Sequence, residues 1–180
     1  MISFSIAPTS LHRLRRRLLA AGPGVAADIL QSAGFATGEE LFTEWRARVS
    51  ARTGIDDAGR LDVTWFGPLL AEVWSSLGWG TLAVAAVADR ALLLSSPDAA
   101  EAEPRSSQHP GCYFTCGCLA AFLTAQAGTP LAVLEVECRS SGSDRCRFLA
   151  GSGETLAAVY DLIAAGGSWR EAFLPGELTD

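Results

Sequence analysis

The chain is poor in several features that would make a function easy to read. No uninterrupted apolar run approaches the ~18–20 residues that a membrane-spanning helix needs, so a helical span is excluded. The stretch "LLAAGPGVAA" follows the basic residues His12 to Arg17, but Gly22, Pro23 and Gly24 break it, and it makes a poor signal-peptide core. Positive charge is scarce: 14 Lys and Arg stand against 20 Asp and Glu, a net charge of −6. That balance argues against the basic face of a nucleic-acid-binding protein. The local exception, "HRLRRRLL", reads as the solvated face of an amphipathic helix. Only two histidines occur. His12 lies in that basic helix and His109 in a proline-containing loop, so both are expected in solvent. There is no G-x-S-x-G, no phosphate-cradling glycine loop and no dinucleotide fingerprint. Gly22-Pro23-Gly24 follows a helix rather than a strand, which disqualifies it as a nicotinamide site. No catalytic residue is assigned. The reading is a soluble, cytoplasmic protein.

What the chain has is core-forming material. It is 49% hydrophobic and 19% charged over 180 residues, enough for one domain with a helical extension. The first part reads helical. "TSLHRLRRRLLAAG" carries Leu11, Leu14, Leu18 and Leu19 at helical spacing, with Gly22 as a stop. "GVAADILQSAGF" and "TGEELFTEWRARVSARTG" give two more helices, the second capped by Thr37. A fourth runs from about Val63 to Leu77. Then the texture changes. "TLAVAAVAD" and "RALLLSSP" predict two antiparallel strands turning at Asp89–Arg90, and Ser95 to Gly111 reads as a loop. "CYFTCGCLAAFLTAQAG" is a helix ended by Gly128; "PLAVLEVECRS" and "DRCRFLAG" form a hairpin; "GETLAAVYDLIAAGG" closes the fold before the short tail "SWREAFL". The order predicts an α+β domain, with N-terminal helices packed against one face of a four-stranded antiparallel sheet. We divide it into a helical region, residues 1–61, serving packing or dimerisation, and a domain of residues 62–180.

The hairpin holds the most pointed pattern. In "EVECRSSGSDRCRF", Cys138 and Cys146 flank Gly142 symmetrically, so the two thiols face each other across the strands. A disulfide, a metal site and plain core packing all suit this spacing. A reducing compartment and an odd count of five cysteines favour metal ligands, reactive groups or core residues over structural bridges. The neighbouring helix offers Cys112 and Cys116 on one face, with Cys118 pointing elsewhere. Glu135 or Glu137 could complete a ligand set. Strand alternation sets both on the face opposite Cys138, so Glu135 joins only if the strand bulges.

A second constellation is aromatic. Trp65, Phe66, Trp74, Trp79, Phe114 and Phe122 lie on or beside helices at core spacing, opposite small residues such as Ala83, Ala85, Ala120 and Ala121. Bulky groups facing small ones leave room for an apolar ligand. We expect a cavity between the sheet and the helices that bear Trp65, Trp74 and Phe114, with these six aromatics as ligand contacts.

The segment from His109 to Ser152 resembles the 4-vinyl reductase domain family. The likeness rests on a small, aromatic-bearing helix after a loop and on the ending E-x-x-C-x-x-x-G-x-x-x-C-x-F, here Glu135 to Phe148. "SSLGWGTLAV" adds the family's Gly-Trp entry into its first strand. The resemblance implies a fold shared with sensor domains of aromatic-responsive bacterial activators and with transport-particle subunits that dimerise and hold an acyl chain. It implies zinc, held by Cys112, Glu135, Cys138 and Cys146, with Cys116 and Cys118 left as helix-packing residues. Four ligands saturate zinc, so the site would be structural. The resulting expectation is a zinc-stapled, homodimeric domain that senses or carries a small hydrophobic or aromatic molecule. Two alternatives stand beside it: a reductase or accessory protein in bacteriochlorophyll synthesis, and a structural dimerisation module.

Overall fold

The computed structural model describes residues 7–55, 61 and 63–173. The domain boundary expected between residues 61 and 62 falls at Asp62, outside the described residues. Helix α1 (Pro8–Ala21) starts on a proline, whose missing N–H costs nothing in a first turn, and stops at Gly22, whose N–H returns to Leu18 O. Helix α2 (Pro23–Thr53) follows at once and ends on Gly54 in the left-handed region, φ 72°. The break expected before Thr37 does not occur. α2 is one 31-residue helix, and the Thr37 hydroxyl donates to Ala33 O at 2.9 Å instead of capping. Gly34 and Gly38, on either side of the expected boundary, are contact points. A Cβ on Gly34 would lie 2.0 Å from Phe114 O, and one on Gly38 would lie 2.2 Å from Cys118 O. Backbone meets backbone there, which only glycine allows.

After α3 (Val63–Ser76) come β1 (Ala83–Val87), β2 (Ala91–Ser96), α4 (Tyr113–Ala127), β3 (Ala132–Glu137), β4 (Cys146–Gly151) and α5 (Gly153–Ala164). The four strands form an antiparallel sheet in the order β1-β2-β4-β3. β2 and β4 lie in the middle and read as nearly continuous apolar runs because both faces are covered. On one face, Leu94, Phe148 and Ala150 pack with Trp45, Phe66, Leu70, Leu119 and Phe122 from α2, α3 and α4. On the other, Leu93 and Leu149 pack with Leu156 and Val159 of α5 and with Trp169 and Phe173 beyond it. The fold is the expected α+β class, but helices cover both faces. The central strands expose apolar side chains alternately, and each set needs its own cover.

α1 is rotated from its expected pose. Leu14 is 49% exposed and Arg15 is buried, at 1%. His12 is half-buried rather than solvated, with Nε2 hydrogen-bonded to Ala100 O at 2.9 Å.

Candidate metal centre

Four side chains converge where the start of α4 meets the end of the β3–β4 hairpin. Cys112 is the N-cap of α4; Cys138 follows β3 and Cys146 opens β4. Glu135 reaches the same face through a β-bulge: it pairs with Phe148, whereas Glu137 pairs with Arg147, so Val136 is the extra residue. The bulge cancels the alternation that would have parted Glu135 from Cys138. Glu137 stays on the far face, in contact with Trp169, Arg170 and Arg147, and is excluded from the set.

The three thiols are fully buried and Glu135 is 8% exposed. Cys112 Sγ lies 3.7 Å from Cys138 Sγ and 4.0 Å from Cys146 Sγ. One donor atom from each of the four residues falls within 4.8 Å of every other. No disulfide forms among the five cysteines, all free. A tetrahedral ion with metal–sulfur bonds of about 2.3 Å sets its sulfurs about 3.8 Å apart, and the observed spacings bracket that value.

The surroundings are arranged for negative charge. Glu135 Oε2 accepts the N–H groups of Gly111 and Cys112, both at 2.8 Å. Its Oε1 is buried with no hydrogen-bond partner, which is the lone pair a cation would take. Ser140 N–H donates to Cys138 Sγ at 3.3 Å and Arg139 N–H to Cys146 Sγ at 3.5 Å. Backbone donors on thiolate sulfurs are the outer shell a metal–thiolate site requires. The donor set, its spacing and the orphaned oxygen all fit zinc.

Without a cation the cluster shares its protons unevenly. The Cys138 thiol is held well below its usual range, first by the hydrogen bonds from Cys112 and Cys146. Cys112 is pushed up, mainly because its thiol donates to Cys138. Cys146 is also pushed up: its contact with Cys112 alone would lower it, but donation to Cys138 and burial win. Burial and the neighbouring Cys138 charge raise Glu135 to about 8. Cys118, by contrast, is raised to about 12, first by burial and then by the Glu101 charge, and burial also raises Cys116. Both are buried in the body of α4.

Two contributors escaped the sequence reading. Glu101, 2% exposed, accepts the Phe114 and Thr115 N–H groups at 3.1 and 2.8 Å, so a loop carboxylate satisfies the free donors of α4. Burial raises its pKa against those bonds and the Arg15 charge. Arg15 donates from Nε to Gly111 O at 3.0 Å. The available signal was its place in α1, four residues beyond Leu11 and three before Leu18, within the inward face.

The six aromatics are divided. Phe66 and Phe122 join Phe42 and Trp45 in one edge-on cluster, with Trp45–Phe122 centroids 5.3 Å apart. Trp74, Trp79 and Phe114 form a T-shaped chain with centroids 4.9 and 6.1 Å apart. Trp65 is 64% exposed on the outer side of α3 and joins neither. These edge-on and tilted rings pack where the space between sheet and helices was expected. An open groove of about 570 Å3 lies elsewhere, between α2, α4 and the edge strand β3, lined by Asp28, Phe35, Glu39, Cys116, Ala120 and Val133 among others.

Residues 97–152, which span the loop, α4 and the whole hairpin, match the family model of the 4-vinyl reductase domain. The resemblance read from the hairpin motif therefore holds over that span. No curated protein matches the chain in sequence. Among solved structures, this chain is similar to the phenol-responsive sensory domain of the transcription activator PoxR with phenol. The TM-score is 0.62 at 21% identity, over 89% of this chain and 83% of that one. It is also similar to trafficking protein particle complex subunit 3 from Naegleria fowleri, covalently bound to palmitic acid. That TM-score is 0.59 at 13% identity, over 80% of this chain and 91% of that one. At these identities the likeness establishes the fold. No helix among the described residues is long and apolar enough to cross a membrane.

Proposed function

We propose that this chain is a zinc-stapled binding domain of the 4-vinyl reductase type that senses or carries a small aromatic or otherwise hydrophobic molecule. The observation that carries the reading is a pair of indole N–H groups, on Trp74 and Trp45, buried in the aromatic core with no acceptor. A buried unpaired donor costs about 1–3 kcal/mol. A ligand with a ring and one oxygen would remove that cost while stacking on Phe66, Trp79, Phe114 or Phe122. The phenol-bound PoxR domain and the palmitoylated trafficking subunit, of the same fold, support an apolar cargo. Room for it comes from rearranging these packed rings, as ligands select open minor states.

Zinc held by Cys112, Glu135, Cys138 and Cys146 completes the reading. With four protein ligands the ion keeps no open position, and its chemistry is that of a cross-link between α4 and the hairpin. Leu14, Val25, Ile29 and Phe35, all exposed on α1 and α2, support pairing of two copies through these helices. The setting is the cytoplasm, where thiols stay reduced.

Mass spectrometry of an organic extract, run beside metal analysis of protein purified without chelator, tests this. We expect a small apolar compound and about one zinc per chain, as a closed four-ligand site binds. A clean extract together with failure to bind simple phenols would sink the sensor reading, and metal-free protein with all thiols reduced would sink the zinc. A coloured sample with tetrapyrrole absorbance would favour the reductase alternative.

A further inference from the structure

Three contacts tie α1 to the loop that ends at Cys112. His12 Nε2 bonds to Ala100 O at 2.9 Å, Arg16 pairs with Glu103 at 2.9 Å, and Arg15 Nε donates to Gly111 O at 3.0 Å. The last contact is unusual. Arg15 is 1% exposed, and one of its terminal nitrogens, Nη2, is buried without a hydrogen-bond partner. A guanidinium is costly to bury and is kept where its geometry is needed.

What Arg15 holds is the residue before the first cysteine of the metal set. Gly111 is gripped from both ends: its carbonyl by Arg15, its N–H by Glu135 Oε2, which also takes the Cys112 N–H. Cys112 itself has a non-helical backbone, φ −79° and ψ 63°, so no helical hydrogen bond of its own N–H fixes the direction of its sulfur. The gripped peptide does. The room for this grip depends on glycine, since a Cβ on Gly111 would come within 2.7 Å of Arg15 Nη2.

From this geometry we infer that Arg15 is a positioning residue for the metal centre, and that docking of α1 and occupancy of the centre are coupled. The inference rests on the zinc reading. Coupling is reciprocal: if docked α1 tightens the metal, the metal tightens α1. The loop from Ala100 to Gly111 is the shared part.

The test is cobalt(II) titration of the full chain, with zinc competition, for wild type, Arg15→Met, Arg15→Lys and Leu156→Ala. The last variant destabilises the far face of the sheet and controls for general loss of stability. Wild type should show thiolate-to-cobalt charge-transfer bands. Arg15→Met should lower affinity about tenfold or more, the size expected for an outer-shell partner, and weaken those bands. Arg15→Lys should fall between, and Leu156→Ala should match wild type. In hydrogen exchange of wild type, amides of α1 should lose protection on metal removal more than those of α5. Failure of wild type to bind cobalt would overturn the zinc reading and this inference with it. Normal wild-type binding with Arg15 variants no weaker than Leu156→Ala would overturn this inference alone. Should Arg15→Met not fold, the lysine variant and the exchange experiment decide: unchanged α1 protection on metal removal refutes the coupling.

Discussion

Glu135 and Cys138 stand three residues apart along the chain, yet both face α4, because the bulge at Val136 turns an odd separation into an even one. In a regular strand the carboxylate would have faced α5, and only three donors would converge. One irregular residue thus completes the set of four.

That set predicts a proton count. In the metal-free cluster the Cys138 thiol is held below its usual range, Cys112 and Cys146 are held above theirs, and Glu135 is raised to about 8. Zinc needs all four deprotonated, so binding near pH 7 should release about three protons. Calorimetry in buffers of different ionisation enthalpy measures this number. Release of one or none would mean that the ion is held by fewer of these groups.

The seam between α2 and α4 predicts intolerance of the smallest side chain. A Cβ on Gly34 or Gly117 would sit 2.0–2.1 Å from a backbone carbonyl oxygen of the facing helix. Replacing glycine by alanine favours a helix by up to about 1 kcal/mol. Here forced separation of the backbones should outweigh that gain, with a net loss of about 1–3 kcal/mol. Thermal melts of Gly34→Ala and Gly117→Ala check it, and a raised melting temperature would contradict the packing described.

Acid stability should depend on Glu137. Burial alone would raise its pKa, but Trp169, Arg170 and Arg147 outweigh it and hold the carboxyl below the ordinary 4.5. A depressed folded pKa gives stability that is present above the unfolded value and is lost as pH falls through the folded one. Stability should therefore decline from about pH 5 downward. Glu137→Gln should start lower at neutral pH and show a shallower decline. Urea unfolding across that range reads both, and parallel curves for the two proteins would refute the assignment.

Trp74→Phe separates the indole donor from the ring. It keeps an aromatic surface and removes a buried unpaired N–H. Affinity for phenol, followed by calorimetry, should fall by up to about tenfold, the value of one hydrogen bond. The melting temperature of the ligand-free protein should drop little, because the variant also removes an unsatisfied group. Unchanged affinity would mean that Trp74 does not face the ligand.

Much of this was legible in the chain because local chemistry set it. The strands and the Gly128 stop follow from alternation and capping, and the convergence of Cys112 with Cys138 and Cys146 was implied by the family resemblance of the hairpin motif. The failures share another cause, since each depends on what lies opposite. Thr37 looks like the cap of a new helix until α4 is seen resting on Gly34 and Gly38 of one continuous helix. Arg15 looks solvated, as one of a basic run, until the loop before Cys112 folds over it. Glu101 sits in a loop rich in proline and serine, with nothing nearby in sequence to mark it as the cap of a helix that starts twelve residues later. The bulge could be named as a requirement for Glu135, but only the pairing with β4 locates it.

The glycine seam also has a mechanical meaning. Where two backbones touch at Gly34, Gly38 and Gly117, neither helix can slide along the other without driving a carbonyl into a neighbour. α2 and α4 are therefore braced against each other like one stiff beam. Its near end begins at a cysteine of the metal centre, and its sides carry Trp45 and Phe122 into the aromatic core.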